Sequence, residues 1–273
     1  MNSHRTIRSL LAFFVLTYAV TWACFFTAVA LSGNFGSSVP TLEHFRTSLL
    51  YLGTFAPSLV AIAITAWVEG MPGVLALLRR LAEWQVAVRW YVFAIGYMAA
   101  IKIAVAIVHR LVVGSWPRFG NEAWYLIIAA IFLSTPIQAG EEIGWRGYAL
   151  PRLAARFGFA RASLVLGVIW ALWHLPLFFV TGLGNYGQSF PIFALGSIAL
   201  SAGITWLYVH VNGSLLLTML MHSAVNQTVG IVPSTIADAA DPFALSTSLV
   251  AWLTDALLWI TALYFLVRMR RIE

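Results

Sequence analysis

Charge is scarce in this sequence and cysteine is almost absent. Only 10% of the 273 residues are Asp, Glu, Lys or Arg, whereas an ordinary soluble domain has about 25%. Apolar side chains make up 61% of the chain, more than a water-soluble fold of this size can bury. As a first interpretation, these proportions exclude a soluble enzyme, a nucleic-acid-binding protein and a disordered regulator. Cys24 is the single cysteine, so the sequence allows neither an intrachain disulfide nor a thiolate metal cluster.

Long apolar runs fill most of the sequence instead. A helix needs about 20 apolar residues to cross a bilayer core. The sequence predicts eight such spans, at 8–31, 47–68, 90–112, 122–141, 161–180, 190–210, 214–232 and 248–267. The predicted fold class is therefore all-α, a polytopic membrane helix bundle of about eight transmembrane helices. No repeat or long linker divides the chain, so we expect residues 1–273 to form a single membrane domain, multi-pass in the plasma membrane of a prokaryote.

The arginines are distributed unevenly between the predicted loops. With a cytoplasmic N-terminus, 12 of them fall on the cytoplasmic side and 3 on the other side, while Lys102 lies within a span. An excess of Arg and Lys in the cytoplasmic loops sets the orientation of a membrane protein. We therefore expect both termini to be cytoplasmic. The formal net charge of +6 is explained by arginines beside the spans that contact lipid headgroups, so the predicted partners include the bilayer but no nucleic acid.

Several ionisable side chains lie within the predicted spans or at their ends. Such groups are costly in a membrane unless they are paired or hydrated, so each one is a candidate functional residue. The candidates are Lys102, His109, Glu141, Glu142, His174, His210, His222 and Asp255.

Two adjacent glutamates end the fourth predicted span. Arg146 follows Glu142 by four residues, on the same helical face, and this spacing predicts an ion pair between them. The pair would leave Glu141, about 100° around the helix, free to act as a base. The alternative interpretation is a solvated helix end that simply carries charges.

Histidines lie in the fifth and seventh predicted spans. His174 is followed by Pro176, which predicts a helix distortion beside the histidine. His222 and Asn226 are four residues apart on one helical face, where a ring nitrogen and an amide could together hold an oxyanion. The alternatives are a packed, hydrogen-bonded histidine and a pair bonded to each other. Together with Glu141, these residue types can activate water and stabilise a tetrahedral intermediate.

Three short motifs in this order resemble those of the CPBP family, which comprises CAAX proteases and bacteriocin-processing enzymes and is also called the Abi or Ras-converting-enzyme type. They are the E-E-x-x-x-R that begins at Glu141, the W-x-x-x-H of Trp170 and His174, and the H-x-x-x-N of His222 and Asn226. The catalytic region that resembles the family covers about residues 120–232. One departure is Trp170, because Phe is the commonest family residue there.

The resemblance implies a helical membrane bundle with a cavity open to the cytoplasmic side. It implies that Glu141 and His174 activate water and that His222 and Asn226 form the oxyanion hole. Glu142 and Arg146 would be supporting residues. The implied activity is that of an intramembrane endopeptidase acting on a membrane-anchored peptide or protein, and whether this substrate is lipidated stays open.

Metal dependence and a second function class also stay open. Glu141, His174 and His222 could be three ligands of zinc or another divalent ion. The sequence lacks H-E-x-x-H, however, and activation of water by glutamate and histidine without a metal fits equally well. The alternative to an enzyme is a membrane transporter or an immunity-type binding protein, in which Lys102 and Asp255 could form an ion relay.

Overall fold

The computed structural model describes residues 3–34, 40–180, 183–234, 241–245 and 247–271, without the side chains of residues 3–5, 32–34, 40 and 41. The two chain ends, for which the sequence predicts a cytoplasmic location, therefore lie outside the described residues.

All regular secondary structure in these ranges is helical, which confirms the predicted all-α class. The helices are α1 (Ser3–Asn34), α2 (Pro40–Arg79), α3 (Val88–Val113), α4 (Trp124–Ser134), α5 (Ala139–Glu142), α6 (Leu150–Trp173), α7 (Phe190–His210), α8 (Leu215–Thr228) and α9 (Leu249–Arg270). A 3₁₀ segment, Thr135–Gln138, joins α4 to α5, and a π-helix, Ile143–Ala149, joins α5 to α6. A second 3₁₀ segment, Leu175–Phe179, follows α6.

The described part of the chain contains six helical segments that are long and apolar enough to cross a membrane. They are Thr6–Leu31, Leu42–Ala82, Val88–Val113, Trp124–Phe179, Phe190–His210 and Leu249–Arg270. The fourth and fifth predicted spans fall within the one segment Trp124–Phe179, and the seventh falls on a shorter apolar helix, Leu215–Ile231. The chain is thus a multi-pass helical bundle, while the count of eight spans stays a prediction.

The outer surface of the bundle is apolar. Trp67, Leu111 and Leu133 are 82%, 79% and 79% exposed. Large apolar side chains exposed over a whole surface would make a soluble monomer associate, whereas the hydrocarbon chains of lipids solvate them well. The exposed side chains therefore agree with a membrane environment.

The two glutamates lie in the middle of a helical arm and not at the end of a span. From Trp124 the chain stays helical through α4, α5, the π-helix and the first turns of α6, and it reverses only at Gly158, which has φ 75°. The predicted boundary at residue 141 was placed where charged residues begin. The helix itself continues past residue 141, because Glu142 is paired inside the bundle with Arg146 of the same arm.

A close approach of α2 fixes the position of this arm. A Cβ atom on Gly144 would lie 2.6 Å from the backbone carbonyl of Pro57, so only glycine fits there. The Ser58 hydroxyl donates a hydrogen bond of 2.5 Å to the Ala139 carbonyl oxygen. Both contacts flank the glutamates, and they set the depth of the glutamates relative to α2.

The bundle has a basic end. There, the Arg80 guanidinium donates to the Gly147 carbonyl oxygen at 3.3 Å and lies 5.7 Å from the centre of the Tyr208 ring. The Ser214 hydroxyl donates to the Glu83 carbonyl oxygen at 2.5 Å. These contacts bring the end of α7 and the start of α8 to one side. The arginines placed at this end by chain direction and contacts are Arg8, Arg79, Arg80, Arg89, Arg152, Arg156, Arg161, Arg268, Arg270 and Arg271.

The opposite end of the bundle holds the start of α4, the end of α6, the start of α7 and the end of α8. The Gly120 amide donates to the Ile231 carbonyl oxygen at 3.1 Å there, and the Ser189 hydroxyl donates to the Ala244 carbonyl oxygen at 2.6 Å. Since α7 contains 21 residues and rises about 1.5 Å per residue, the two ends are about 30 Å apart. The basic residues at this end are Arg46, Arg110 and Arg118.

Candidate active site

A cavity of about 630 Å³ lies inside the bundle on the side of the opposite end. Glu141, His174, His222 and Asn226 all line it. They reach it from α5, from the residue after α6 and from α8, so the fold brings together four side chains that are up to 85 positions apart in the sequence. Glu142 and Arg146 do not line the cavity; they lie behind it.

Glu141 is held by an indole. Glu141 is only 7% exposed, and its Oε2 accepts a hydrogen bond of 2.7 Å from Trp170 Nε1. One carboxylate oxygen is thereby fixed, and the other is available to a water molecule in the cavity. In the sequence, Trp170 stands out only as a departure from the Phe most common in the family, so this partner of Glu141 was not predicted.

Glu142 has two partners, Arg146 and His222, in the buried region behind the cavity. Arg146 Nη1 donates to its Oε1 at 2.6 Å, and both side chains are 0% exposed. This contact confirms the ion pair predicted from the four-residue spacing. His222 Nδ1 lies 2.9 Å from the same Oε1. Because an ionised carboxylate can only accept, the proton of this hydrogen bond is on Nδ1 of His222.

His174 lines the cavity and is surrounded by aromatic rings. Its Nδ1 is 2.8 Å from the Trp170 carbonyl oxygen, which can only accept, so Nδ1 carries a proton. The lone pair of Nε2 is then unused. The imidazole contacts the rings of Trp170, Trp173 and Phe193, with centroids 5.3, 4.7 and 5.2 Å away. The α-helix ends at Trp173, before the predicted distortion at Pro176.

Trp170 contacts Glu141 and also the two partners of Glu142. Its Nε1 donates to Glu141, the Arg146 guanidinium carbon lies 4.5 Å from its ring centroid, and the His222 ring packs edge-on at 5.2 Å. A cation above an aromatic face is attracted by the ring quadrupole. The presence of Trp where the family most often has Phe was the one feature of the sequence that could have pointed to this role. A motif does not show, however, what an indole N–H would contact.

Asn226 is solvent-exposed at the cavity wall, one helical turn from His222. Within the described ranges its amide forms no hydrogen bond, with His222 or with any other side chain. The alternative of a mutually bonded His222 and Asn226 is therefore not found. The amide N–H groups stay available to a ligand in the cavity.

A metal site does not form from the predicted residues as they are placed. Among the residues that the structure describes, no three His, Cys, Asp or Glu side chains are grouped so that they could hold an ion, and this includes Glu141, His174 and His222. One oxygen of Glu141 is also engaged by the Trp170 indole. This side-chain arrangement does not fit a resident zinc, and the metal stays an untested prediction.

Other ionisable residues of the spans lie outside the cavity. Lys102 is 1% exposed and donates to Ser234 Oγ at 2.6 Å and to Thr254 Oγ1 at 3.3 Å. Ser234 is a wall residue, so Lys102 supports the cavity from behind. Lys102 thus bonds to hydroxyls, and the structure contains no ion pair between it and Asp255.

The part of the chain that builds the cavity is similar to known proteins. A family model described as type II CAAX prenyl endopeptidase Rce1-like matches residues 119–228. The resemblance to the CAAX protease family is confirmed. A curated relative within it, the CAAX prenyl protease 2 of Methanococcus maripaludis, is 33% identical over 105 residues. That alignment covers 36% of this chain and 39% of the relative, so the chain matches about two fifths of the relative's length.

Proposed function

We propose that this chain is an intramembrane endopeptidase that hydrolyses a peptide bond in a membrane-anchored peptide or protein. The observation that carries the proposal is that Glu141, His174, His222 and Asn226 all line one cavity, within the segment that matches the CAAX protease family. Their residue types can supply both a base and oxyanion donors.

In this proposal, Glu141 and His174 activate the water molecule. Trp170 fixes one oxygen of Glu141, and the other oxygen takes a proton from water as the water oxygen attacks the scissile carbonyl carbon. His174 offers the Nε2 lone pair as a second acceptor, which orients the water. The proton then passes to the departing amide nitrogen while the C–N bond breaks. The products are a carboxylic acid and an amine.

His222 and Asn226 stabilise the oxyanion in this proposal. The amide of Asn226, which has no hydrogen-bond partner in the described part of the chain, donates to the developing oxyanion. His222 already donates through Nδ1 to Glu142, so Nε2 can donate only when the ring is an imidazolium. The Glu142 carboxylate orients the His222 ring through Nδ1, and Arg146 in turn pairs with Glu142. Glu142 and Arg146 are thus positioning residues for the oxyanion hole.

The Glu141→Gln variant tests this function. The glutamine carbonyl can still accept from the Trp170 indole, so the fold should be kept while the proton acceptor is lost. We expect the cleavage rate of a membrane-anchored peptide by purified enzyme to fall by about 10² to 10⁴. Glu83→Gln, at an exposed position of the basic end, is the matched control and should cleave like wild type.

Equal cleavage by wild type and Glu141→Gln at equal folded amounts would contradict water activation by Glu141. If the chain were instead a transporter or an immunity-type binding protein, Glu141→Gln would leave its phenotype largely intact. The same assay with and without a chelator tests the predicted zinc or other divalent ion.

A further inference from the structure

The cavity is closed towards the basic end of the bundle. The residues on that side of Glu141 are Glu142 and Arg146, both 0% exposed, and then the π-helix, every residue of which is buried. The Leu77 and Leu215 side chains pack against Gly147 there. The described residues therefore leave a peptide no route to the cavity from the arginine-rich side.

The cavity is open towards the opposite end. Its wall there includes Gly184, Asn226, Val229 and Gly230, which are all exposed. These residues belong to the connection before α7 and to the last turns of α8. The opening therefore lies at the end of the bundle that holds few arginines.

Two of the expectations from the sequence cannot both hold for this fold. Cytoplasmic termini require the basic end to be cytoplasmic, and an opening to the cytoplasmic side requires the opposite end to be cytoplasmic. The arginine distribution is a property of this chain itself, and Arg-rich ends of membrane bundles remain in the cytoplasm. The cytoplasmic opening was implied only by the resemblance.

We propose that the cavity opens on the non-cytoplasmic face of the membrane and that the scissile peptide bond reaches it from that face. The substrate part of this inference rests on the proposed protease function; the direction of the opening does not. Uncharged Asn185, Gln188 and Ser234 lie around the opening beside apolar Leu177 and Phe193. The described wall residues include no Lys or Arg, so the opening fits an uncharged peptide stretch next to the lipid surface.

A pair of cysteine variants tests the direction. Cys24 is the only native cysteine and is buried, so Cys24→Ser supplies a thiol-free background. In that background, Tyr186→Cys places a thiol in the connection before α7, and Phe157→Cys places one at the basic end. The native side chains are 53% and 41% exposed, and neither lines the cavity. Neither change removes an arginine, so the charge asymmetry is kept.

We expect a membrane-impermeant maleimide to label Tyr186→Cys in intact cells and to leave Phe157→Cys unlabelled until the cells are permeabilised. Inverted vesicles should give the reverse pattern. Labelling of Phe157→Cys alone in intact cells, of both thiols or of neither overturns the proposal. Because labelling needs no substrate, its outcome is independent of whether the chain is a protease. Cleavage of a peptide added to detergent-solubilised enzyme, in which both faces are accessible, tests the protease separately.

Discussion

The hydrogen bond from Trp170 to Glu141 can be tested by a substitution that keeps an aromatic ring and removes only the donor. Trp170→Phe keeps a ring against Arg146 and His222 but removes the N–H that lies 2.7 Å from Glu141 Oε2. A hydrogen bond to a charged group is worth about 1.5–3 kcal/mol. Since about 1.4 kcal/mol corresponds to tenfold in rate, we expect kcat for peptide cleavage to fall about 10- to 150-fold. KM should change little, because Trp170 anchors the base.

A matched control lies three residues further along the same helix. Trp173 is buried like Trp170, and its Nε1 donates to Thr21 Oγ1 at 2.9 Å instead of to a glutamate. Trp173→Phe keeps a ring beside His174 but removes a comparable ring volume and one hydrogen bond, so it should lower the melting temperature in detergent with little change in kcat per folded molecule. An equal kcat for Trp170→Phe and Trp173→Phe would refute the reasoning, because the loss would then come from packing alone.

Three further variants address the oxyanion hole, the buried charges and the close helix contact. Asn226→Ala should lower kcat by about 10² to 10³, with the melting temperature unchanged since its amide has no hydrogen-bond partner among the described residues; wild-type kcat would remove Asn226 from the mechanism. Arg146→Ala leaves the buried Glu142 without its guanidinium partner and should cost about 3–5 kcal/mol of stability; an unchanged unfolding midpoint in detergent would argue against this pairing. Gly144→Ala places a Cβ 2.6 Å from the Pro57 backbone and should separate α2 from the π-helix, seen as loss of folded protein; normal yield and activity would show that α2 can move.

The fold class followed from composition alone. With 10% charged and 61% apolar residues, the chain can be stable only in lipid, where helices satisfy their own backbone hydrogen bonds. Helix boundaries could not be obtained in the same way. The arm from Trp124 to Phe157 continues through Glu141 and Glu142 because Glu142 binds Arg146 of the same arm and His222 of α8, while Glu141 accepts a hydrogen bond from Trp170 of α6.

For the site, local spacing determined what lies on one helical turn. The pairing of Glu142 with Arg146 depends only on a separation of four residues, and the structure confirms it. Residue type likewise singled out Glu141, His174, His222 and Asn226, since polar groups are rare in these spans.

Contacts between helices were decided only by the tertiary structure. The indole N–H of Trp170 on Glu141, the shared Glu142 oxygen of Arg146 and His222, and the end of the bundle at which the cavity opens all depend on how α5, α6 and α8 meet. Their relative depth is set by packing such as that of Gly144 against Pro57. Such packing brings together residues that are far apart in the chain, and a local sequence pattern cannot predict which of them will be in contact.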